Sequence, residues 1–553
     1  MTQESDENPN SPFSIVFFAV FSWVVVGYAF FQLIVFAGPL GDSFFESDNP
    51  NDIHYVIFGV IALSLLARFV GGMFFGKMSD MFGRLKTIKI VLVGLLILLI
   101  GPMFLFEYQE HSELVPIFFI ISRVMIGFFT GGLWPSGAVF AVEKLQYYYR
   151  ERGEPTHTNR IVRIIFPSFQ ENETTDSEIP GIEKKIKHLG WQAAWIQSGF
   201  HWAILLEALL GYYFFFIPDS FREFWPIISL TGIILAGVGC VLAFIMKESE
   251  IWERIHSEIG RGRFSIKLDV IKEKDRKKIV NLWLITAGIM YLFYSTMGII
   301  TGYFPRSDYL ESFCIDDAWP SCNVWYGGLT FVLVALIAHI VPGYHLTKVW
   351  SDEEYRDGKI KRRLMRFFGS NKFYIGCLRL DMRILLRRII PYPSQGKLEG
   401  KARENRDLLI IMSHGYMSLY LAVTIVLIFF IVFIFSPSTD ITKPSGGDSL
   451  MYVGVWIVIA TLLFIVTSTW AIIPSILASM FAVPRRNFWT STIYTGGTIV
   501  GFAAPFVSIQ IIQQFDHVWL MIPFILGALS IVIGSRSLIM DNPDRPGDQL
   551  FTH

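Results

Sequence analysis

Long, almost uncharged apolar stretches recur along the whole chain and constrain its fold more than any other feature. A helix needs about 20 such residues to cross the roughly 30 Å hydrocarbon core of a membrane. The chain is 52% hydrophobic and 17% charged, whereas a soluble domain carries about 25% charged residues. The stretches lie at about 13–37, 53–76, 90–106, 114–143, 193–217, 224–246, 279–303, 324–347, 408–436, 450–480, 487–513 and 516–535. The sequence therefore predicts an all-α polytopic membrane protein with twelve transmembrane helices.

Lysine and arginine are distributed unevenly over the loops between these stretches. Of the 47 Lys and Arg residues, 42 lie in the even-numbered loops or after the last stretch. Three lie in the odd-numbered loops, and Arg68 and Arg123 lie within stretches. Because cytoplasmic loops collect Lys and Arg, we expect the even loops and both termini to be cytoplasmic. The predicted location is the plasma membrane.

The lengths of the basic loops divide the chain into two halves. The sequence predicts an N-terminal six-helix half over 1–246, a cytoplasmic linker over 247–278 and a C-terminal six-helix half over 279–553. Each half contains one long charged insertion, at 144–192 in the first and at 348–406 in the second.

The stretch "FGKMSDMFGRLK" concentrates charge and glycine directly after the second apolar stretch. Gly72 and Gly76 are four residues apart, which gives one smooth helix face for close approach of another helix. Asp80 follows where the stretch ends, and its carboxylate could accept hydrogen bonds from the amides at the start of a neighbouring helix. Arg84 could pair with it. Two interpretations stay open here, a built joint between helices and an ordinary basic loop.

This segment resembles the loop 2–3 signature of the major facilitator superfamily, Gly-x-x-x-Asp-x-x-Gly-Arg-x-Lys/Arg. The likeness is greatest to the branch of metabolite and sialate/lactate-type proton symporters. "RVMIGFFTGGLWPSGAVFAVE" in the fourth stretch and "KESEIW" after the sixth support it. The resemblance implies two six-helix halves that move between two conformations. It also implies a conformational motif, which maps here onto Gly76, Asp80, Gly83, Arg84 and Glu143.

Three apolar stretches that often contain an acidic residue in that branch lack one at the corresponding positions here. The first stretch has Val26 and Ala29, the fourth has Leu133, and the tenth has Ser479. The resemblance therefore implies a transporter but leaves proton coupling open.

Ionisable residues inside the apolar stretches are the strongest candidates for function, because they are costly in hydrocarbon. Arg68, Arg123 and Glu207 are the principal ones. At 1.5 Å per residue, Arg123 and Glu207 lie within about one turn of each other in depth, which predicts an ion pair. That pair could bind and release a proton, or it could be purely structural. Arg123 could instead anchor a carboxylate substrate, since guanidinium offers a bidentate fork.

The remaining site candidates are polar or aromatic residues within the predicted helices. His201 could titrate near neutral pH, although a lone histidine on a helix is more often a packing residue, and the same applies to His339 and His414. Aromatic residues are so common in this chain that each of them could also be plain core. The further candidates for lining a cavity are Tyr28, Gln32, Trp134, Gln197, Tyr291, Tyr294, Tyr494 and Trp470.

Cysteine and histidine spacing gives no sign of a metal site or a cofactor. No CxxC or HExxH pattern occurs, and Cys314 and Cys322 share one outer loop, where a disulfide is an open alternative. Neither a nucleophile arrangement nor a phosphate-binding motif is present. The sequence therefore predicts neither an enzyme nor a nucleic-acid-binding protein.

Together these features predict a secondary active transporter for a small organic solute, an anionic metabolite such as a carboxylate. Its two halves would rock around a site near the membrane midplane. The expected partners are that solute, membrane lipids and protons as coupling ion, and the expected state is a monomer. A facilitator without proton coupling and a transporter-like sensor remain alternatives. The solute itself does not follow from the sequence.

Overall fold

The computed structural model describes ten stretches of the chain, and helices make up nearly all of them. The described residues are 11–35, 50–104, 114–152, 194–216, 221–259, 273–298, 331–339, 406–435, 449–514 and 521–541. Within these stretches no strand occurs, in agreement with the predicted all-α class.

Twelve named helices and one shorter helical piece follow one another in these stretches. The helices are α1 Pro12–Val35, α2 Pro50–Phe82, α3 Arg84–Met103, α4 Val115–Arg152, α5 Ser198–Phe216, α6 Phe221–Ile245, α7 Glu250–Ile259, α8 Glu273–Gly298, α9 Arg406–Phe435, α10 Ser449–Met480, α11 Val483–Gln514 and α12 Met521–Asp541. A further helical piece covers 331–339. Each predicted apolar stretch overlaps one of these elements, and within the described part eight helices are long and apolar enough to cross a membrane.

The second helix shows how the sequence pattern assigns its two faces. Leu66, Val70 and Phe74 recur every four residues and are 51–55% exposed, as expected for side chains that face lipid. Gly72 and Gly76 lie on the opposite side and face α11. A Cβ atom added to Gly72 would lie 2.7 Å from Oγ1 of Thr495. The glycines therefore allow α2 and α11 to approach closely, as the spacing predicted.

The helices pack into two bundles. In the first, α1 packs against α4, α5 and α6, α2 packs against α4, and α3 packs against α4 and α6. In the second, α8 packs against α10, α11 and α12, while α9 packs against α10 and α12. This is the predicted arrangement of two six-helix halves. The bundles meet where α2 contacts α11 and where α4 contacts α10 and α11.

The short helix α7 follows α6 and lies against the end of both bundles. Its Ile251 and Ile255 pack with Val483 at the start of α11. Its Trp252 donates a hydrogen bond from Nε1 to the backbone carbonyl of Asp80 at 3.0 Å. The beginning of the predicted linker 247–278 therefore contacts both bundles.

Several predictions fall on residues outside the described stretches. Cys314 and Cys322 are among them, as are the second insertion up to residue 405 and most of the first insertion. The boundaries of the halves and the orientation in the membrane stay predictions.

Candidate functional site

Four buried charged side chains meet where α2, α3, α4 and α11 come together, and we call them the gate cluster. Its members are Asp80, Arg84, Glu143 and Arg486, each at most 1% exposed. Two carboxylates face two guanidinium groups, so their formal charges cancel. Because an unpaired buried charge is strongly destabilising, this balance allows four charges to lie out of water.

Asp80 joins the end of α2 to the start of α11. One carboxylate oxygen accepts a hydrogen bond from the backbone N–H of Asn487 at 3.1 Å, and the other accepts one from Phe488 at 2.9 Å. Arg84 pairs with the same carboxylate. The sequence predicted that Asp80 would accept from the exposed amides at the start of another helix, and the structure shows that the donors lie in the second turn of α11.

Glu143 connects α4 to the same region through both carboxylate oxygens. It accepts hydrogen bonds from Arg84 Nη2 at 3.1 Å, from Arg486 Nη1 at 3.2 Å and from Ser249 Oγ at 2.8 Å. Arg84 also donates to the backbone carbonyl of Val483 at 2.8 Å. The gate cluster therefore links the two bundles by hydrogen bonds with donors on both sides. Arg84 donates to the second bundle, and Arg486 donates to the first.

The turn between α2 and α3 requires a glycine. Gly83 has φ +117°, a backbone conformation that favours glycine. Directly after it, the backbone N–H of Leu85 donates to both carboxylate oxygens of Glu248, at 2.9 Å and 3.0 Å, and the backbone N–H of Lys86 donates to Oε2 at 3.4 Å. A Cβ atom at position 83 would lie 2.5 Å from Oε2 of Glu248. Glu248 thereby caps α3 and holds the turn in place.

The five residues predicted to form a conformational motif all lie in or beside the gate cluster. Gly76 makes the close helix contact, since a Cβ atom there would lie 2.8 Å from Oγ of Ser491. Sequence reasoning missed roles for Arg486, Glu248 and Trp252. Their motifs were visible as "RR" and "KESEIW", but nothing in the sequence shows which charge meets which.

Arg68 lies deeper along α2, between the bundles, and is 2% exposed. Its guanidinium carbon lies 5.4 Å from the ring centre of Trp23 and 5.6 Å from that of Phe30, both on α1. Tyr294 of α8 and Tyr494 of α11 are near enough to interact with it electrostatically. Its Nε has no hydrogen-bond partner, and no described carboxylate forms an ion pair with it.

An aromatic layer lies beside Arg68 and spans the two bundles. Trp134 of α4 stacks on Tyr494 of α11 with ring centres 3.4 Å apart. Its Nε1 donates to Oε1 of Gln197 at 3.0 Å. Trp470 of α10 donates to the Tyr494 hydroxyl at 3.2 Å. The predicted lining residues Trp134 and Gln197 are therefore at the interface between the bundles.

Arg123 lies inside the first bundle instead. It is 1% exposed and donates from Nη1 to Oε1 of Gln32 at 3.2 Å and to the Ala29 carbonyl at 3.4 Å. Its Nε and Nη2 have no partner. Tyr28, one turn before Gln32 on α1, donates its hydroxyl to the carbonyl of Ile228 on α6 at 2.8 Å. These predicted candidates thus form a group within one half.

Glu207 of α5 is fully buried, and neither carboxylate oxygen has a hydrogen-bond partner. The predicted ion pair between Arg123 and Glu207 is wrong as a direct contact, although their charges are near enough to interact. The physical reason is competition, because Gln32 and the carbonyl of Ala29 on α1 supply acceptors closer to the guanidinium than Glu207 does. A similar depth in the membrane predicts that two residues on different helices lie near each other, but it does not predict that their side chains touch.

His201 of α5 contacts His339 of the helical piece 331–339, with His201 Nδ1 and His339 Nε2 3.0 Å apart. Both side chains are fully buried. The sequence left each histidine open as a titrating group or a packing residue and did not predict this contact, because nothing in it relates positions 138 residues apart. Within the described residues, no group of three or more His, Cys, Asp or Glu side chains could hold a metal ion.

Comparison with known proteins finds partial relatives among transporters. No family model matches the chain. A putative metabolite transport protein of Haemophilus influenzae is 31% identical over 140 residues, which cover 24% of this chain and 31% of that protein. A putative proline/betaine transporter of Staphylococcus haemolyticus is 27% identical over 219 residues, covering 39% of this chain and 38% of that protein. The chain thus spans about a third of the length of these curated relatives.

A solved structure matches over nearly the whole chain. The proton:xylose symporter XylE, a major facilitator superfamily protein, covers 98% of this chain and 98% of its own with a TM-score of 0.56 and 12% identity. At that identity the likeness shows a shared fold. The two-bundle arrangement described above is therefore the fold of that superfamily.

Proposed function

We propose that this chain is a member of the major facilitator superfamily and a secondary transporter that moves a small organic anion by alternating access. The observation that carries the proposal is Arg68, a buried cation between the two bundles with no described carboxylate paired to it. An uncompensated buried charge is strongly unfavourable, and an anionic solute would supply the missing partner. The rings of Trp23 and Phe30 offset part of that cost by cation–π attraction.

The proposed anchor for the solute is Arg68 and not Arg123. The sequence favoured Arg123, but two of the acceptors around that guanidinium come from its own bundle. Arg68 instead faces the tyrosines of the second bundle. A solute bound at Arg68 would contact both halves, which is the position that alternating access requires.

Alternating access also requires one end of the interface to be closed while the other is open. The gate cluster joins α2 and α4 to α11 through Asp80 and Glu143, so the structure is closed at that end. The distribution of Lys and Arg predicts that this end is cytoplasmic. Opening it would require both contacts between the bundles to break together.

Proton coupling is the finer part of the proposal, and Glu207 is its candidate. A fully buried carboxylate without a hydrogen bond is far more stable with a proton bound than without one. Exchange of that proton, biased by the nearby charge of Arg123, would couple transport to a pH gradient. A facilitator without coupling is the alternative, and the plasma membrane is the proposed location.

A ligand screen with purified protein tests the choice of solute class. We expect organic acids to raise the melting temperature, and sugars to have no effect. A zwitterion such as betaine carries a carboxylate too, so betaine and proline belong in the same panel. Arg68→Gln should lose the stabilising effect, because it removes the cation that the solute pairs with. The matched control is Arg276→Gln, the same change at an exposed arginine of α8.

Two results would contradict the proposal. One is stabilisation by neutral solutes alone, and the other is equal stabilisation of Arg68→Gln and the unaltered protein by the same acid. Counterflow of that labelled acid in proteoliposomes then separates a transporter from a sensor, since a sensor binds the acid without exchanging it.

A further inference from the structure

A pair of histidines forms a direct polar contact between the two bundles away from the gate cluster. His201 belongs to α5 of the first bundle. His339 belongs to the piece 331–339, which is tied to the second bundle because Ser468 of α10 donates to the Ala338 carbonyl at 3.0 Å. The two imidazoles share one hydrogen bond, between His201 Nδ1 and His339 Nε2, which are 3.0 Å apart. Both side chains have an exposed fraction of 0%.

The pair lies among aromatic rings. The rings in contact with His201 are those of Phe200, Phe293, Phe331 and Trp470. The outward nitrogen atoms, His201 Nε2 and His339 Nδ1, are buried and have no hydrogen-bond partner. Within the described residues, the only polar contact between the two side chains is the shared hydrogen bond.

Neighbouring elements bring no opposite charge to the pair. The titratable or charged side chains on these elements include Glu207 on α5, Tyr294 on α8, Tyr494 on α11 and Arg68 on α2. Within the described residues none of these groups makes a hydrogen bond or an ion pair with either imidazole. The side chains that α10 places nearest, Trp470 and Ser468, are uncharged.

The number of protons on the two imidazoles decides whether the hydrogen bond between them can form. Two neutral imidazoles carry two protons, one of which forms the bridge, so one facing nitrogen donates and the other accepts. A third proton must go to an outward nitrogen, where it creates a buried charge on an atom that has no hydrogen-bond partner in the described structure. A fourth would place two N–H groups face to face and break the bridge. The closed contact therefore fits the neutral pair.

We infer that His201 and His339 form a proton-binding site that latches the two bundles together when neutral and releases them when protonated. Rocking of the bundles would part the imidazoles and admit water, which hydrates an imidazolium. The surrounding rings replace only part of that hydration while the contact is closed. The open state therefore binds protons more tightly than the closed state.

The effect of pH on the ratio of closed to open molecules follows from the difference in proton binding between the two states. If the open state binds one proton more, the ratio of closed to open molecules falls as the pH drops below the ordinary histidine pKa of about 6.5, and the fall approaches about tenfold per pH unit at lower pH. Above that pH the neutral latch contributes fully to the closed state. Acidification of the side to which the gate opens should therefore hold the protein open.

The test is a distance measurement across the gate end, with no solute added. Spin labels go on cysteines introduced at Lys86 of α3 and Arg276 of α8, both exposed. The four native cysteines are replaced, and the protein is embedded in phosphatidylcholine nanodiscs. Between pH 6.5 and 5.5 we expect the ratio of short to long distances to fall about fivefold. The double variant His201→Gln/His339→Gln should show no such fall, because its amides can bridge but cannot be protonated.

Two other histidines provide matched controls. His414 contacts Thr469 within the second bundle, with His414 Nδ1 2.9 Å from Oγ1. His256 stacks on Trp252 beside the gate cluster. His414→Gln and His256→Gln should keep the response to pH. A ratio in the unaltered protein that is constant from pH 7.5 to 5.5 would overturn the inference, even if the double variant failed to fold. So would a response that survives in the double variant or disappears in His256→Gln. Because no transport is measured, this result is independent of the proposed solute.

Discussion

The gate cluster and the centre of the molecule both bury charged groups, but these groups are paired in the gate cluster and partly unpaired in the centre. At the gate cluster, two carboxylates and two guanidinium groups contact one another, and none of the four has a buried polar atom without a partner. In the centre, partners are missing for nitrogen atoms of Arg68 and Arg123 and for both oxygens of Glu207. Within the described chain, the buried charged groups of the gate cluster all have partners, whereas several polar atoms in the centre have none.

This difference separates two kinds of function. A fully paired network stabilises one arrangement of helices, so it acts on the equilibrium between conformations. Unpaired buried groups are rare in folded proteins, and each calls for an explanation such as a ligand, water or a proton. We therefore propose conformational control for the gate cluster and solute or proton binding for the centre.

The largest expected effect on the conformational equilibrium comes from Glu143→Gln in the gate cluster. This change removes the carboxylate that Arg84 and Arg486 share, and breaking a buried ion pair costs about 3–5 kcal/mol. We expect the closed state to be depopulated, which an increase of the distance between labels at Lys86 and Arg276 would show. A distance distribution identical to that of the unaltered protein would mean that the gate cluster does not hold the closed state.

A smaller effect is expected for Asp80→Asn. The amide keeps an oxygen that accepts from the backbone of α11 but loses the charge that pairs with Arg84. We expect the equilibrium to shift by about 1–3 kcal/mol, with normal membrane insertion and slower transport. The measurement is the initial rate of counterflow in proteoliposomes, normalised to the amount inserted. If Asp80→Asn transports at the rate of the unaltered protein, this segment acts only as an ordinary basic loop.

The smallest effect on the fold, about 1 kcal/mol or less, is expected for Glu207→Gln in the centre. The amide has nearly the shape of the protonated carboxyl, and in the described structure no hydrogen bond is lost. It cannot carry a proton, however. Accumulation driven by a pH gradient should therefore disappear while solute exchange persists.

Uptake and exchange, measured with and without an imposed pH gradient, distinguish the outcomes for Glu207. Arg123→Lys is the companion variant and should impair both processes, because an ammonium lacks the planar fork that contacts Gln32 and the carbonyl of Ala29. Gradient-driven accumulation that is unchanged in Glu207→Gln would remove this residue from the coupling mechanism.

Local patterns in the sequence predicted the parts of the gate that depend on one helix. The four-residue spacing of Gly72 and Gly76 correctly predicted a close helix contact, now seen at Thr495 and Ser491. The position of Asp80 at a helix end correctly predicted that it would accept hydrogen bonds from backbone amides. Those features are periodic or terminal, so they are visible along a single segment.

Partners from distant segments were not predictable in the same way. The pairing of Arg123 with Glu207 was expected from depth alone and does not occur, because rotation about the helix axis decides which acceptor a guanidinium reaches. Arg486 meets Glu143 across 343 positions of sequence. No local pattern could have joined them.

The sequence by itself determined that this protein has many helices long and apolar enough to cross a membrane, and that the glycine face of α2 meets another helix. The reason is that hydrocarbon acts as a uniform solvent, so apolar length and periodicity suffice to satisfy it. Only the tertiary structure decided which buried charges are paired and which are left open, and that two histidines meet between the bundles. Such contacts depend on atomic distances between helices that are far apart in the chain, since hydrogen bonds and ion pairs act over a few ångströms.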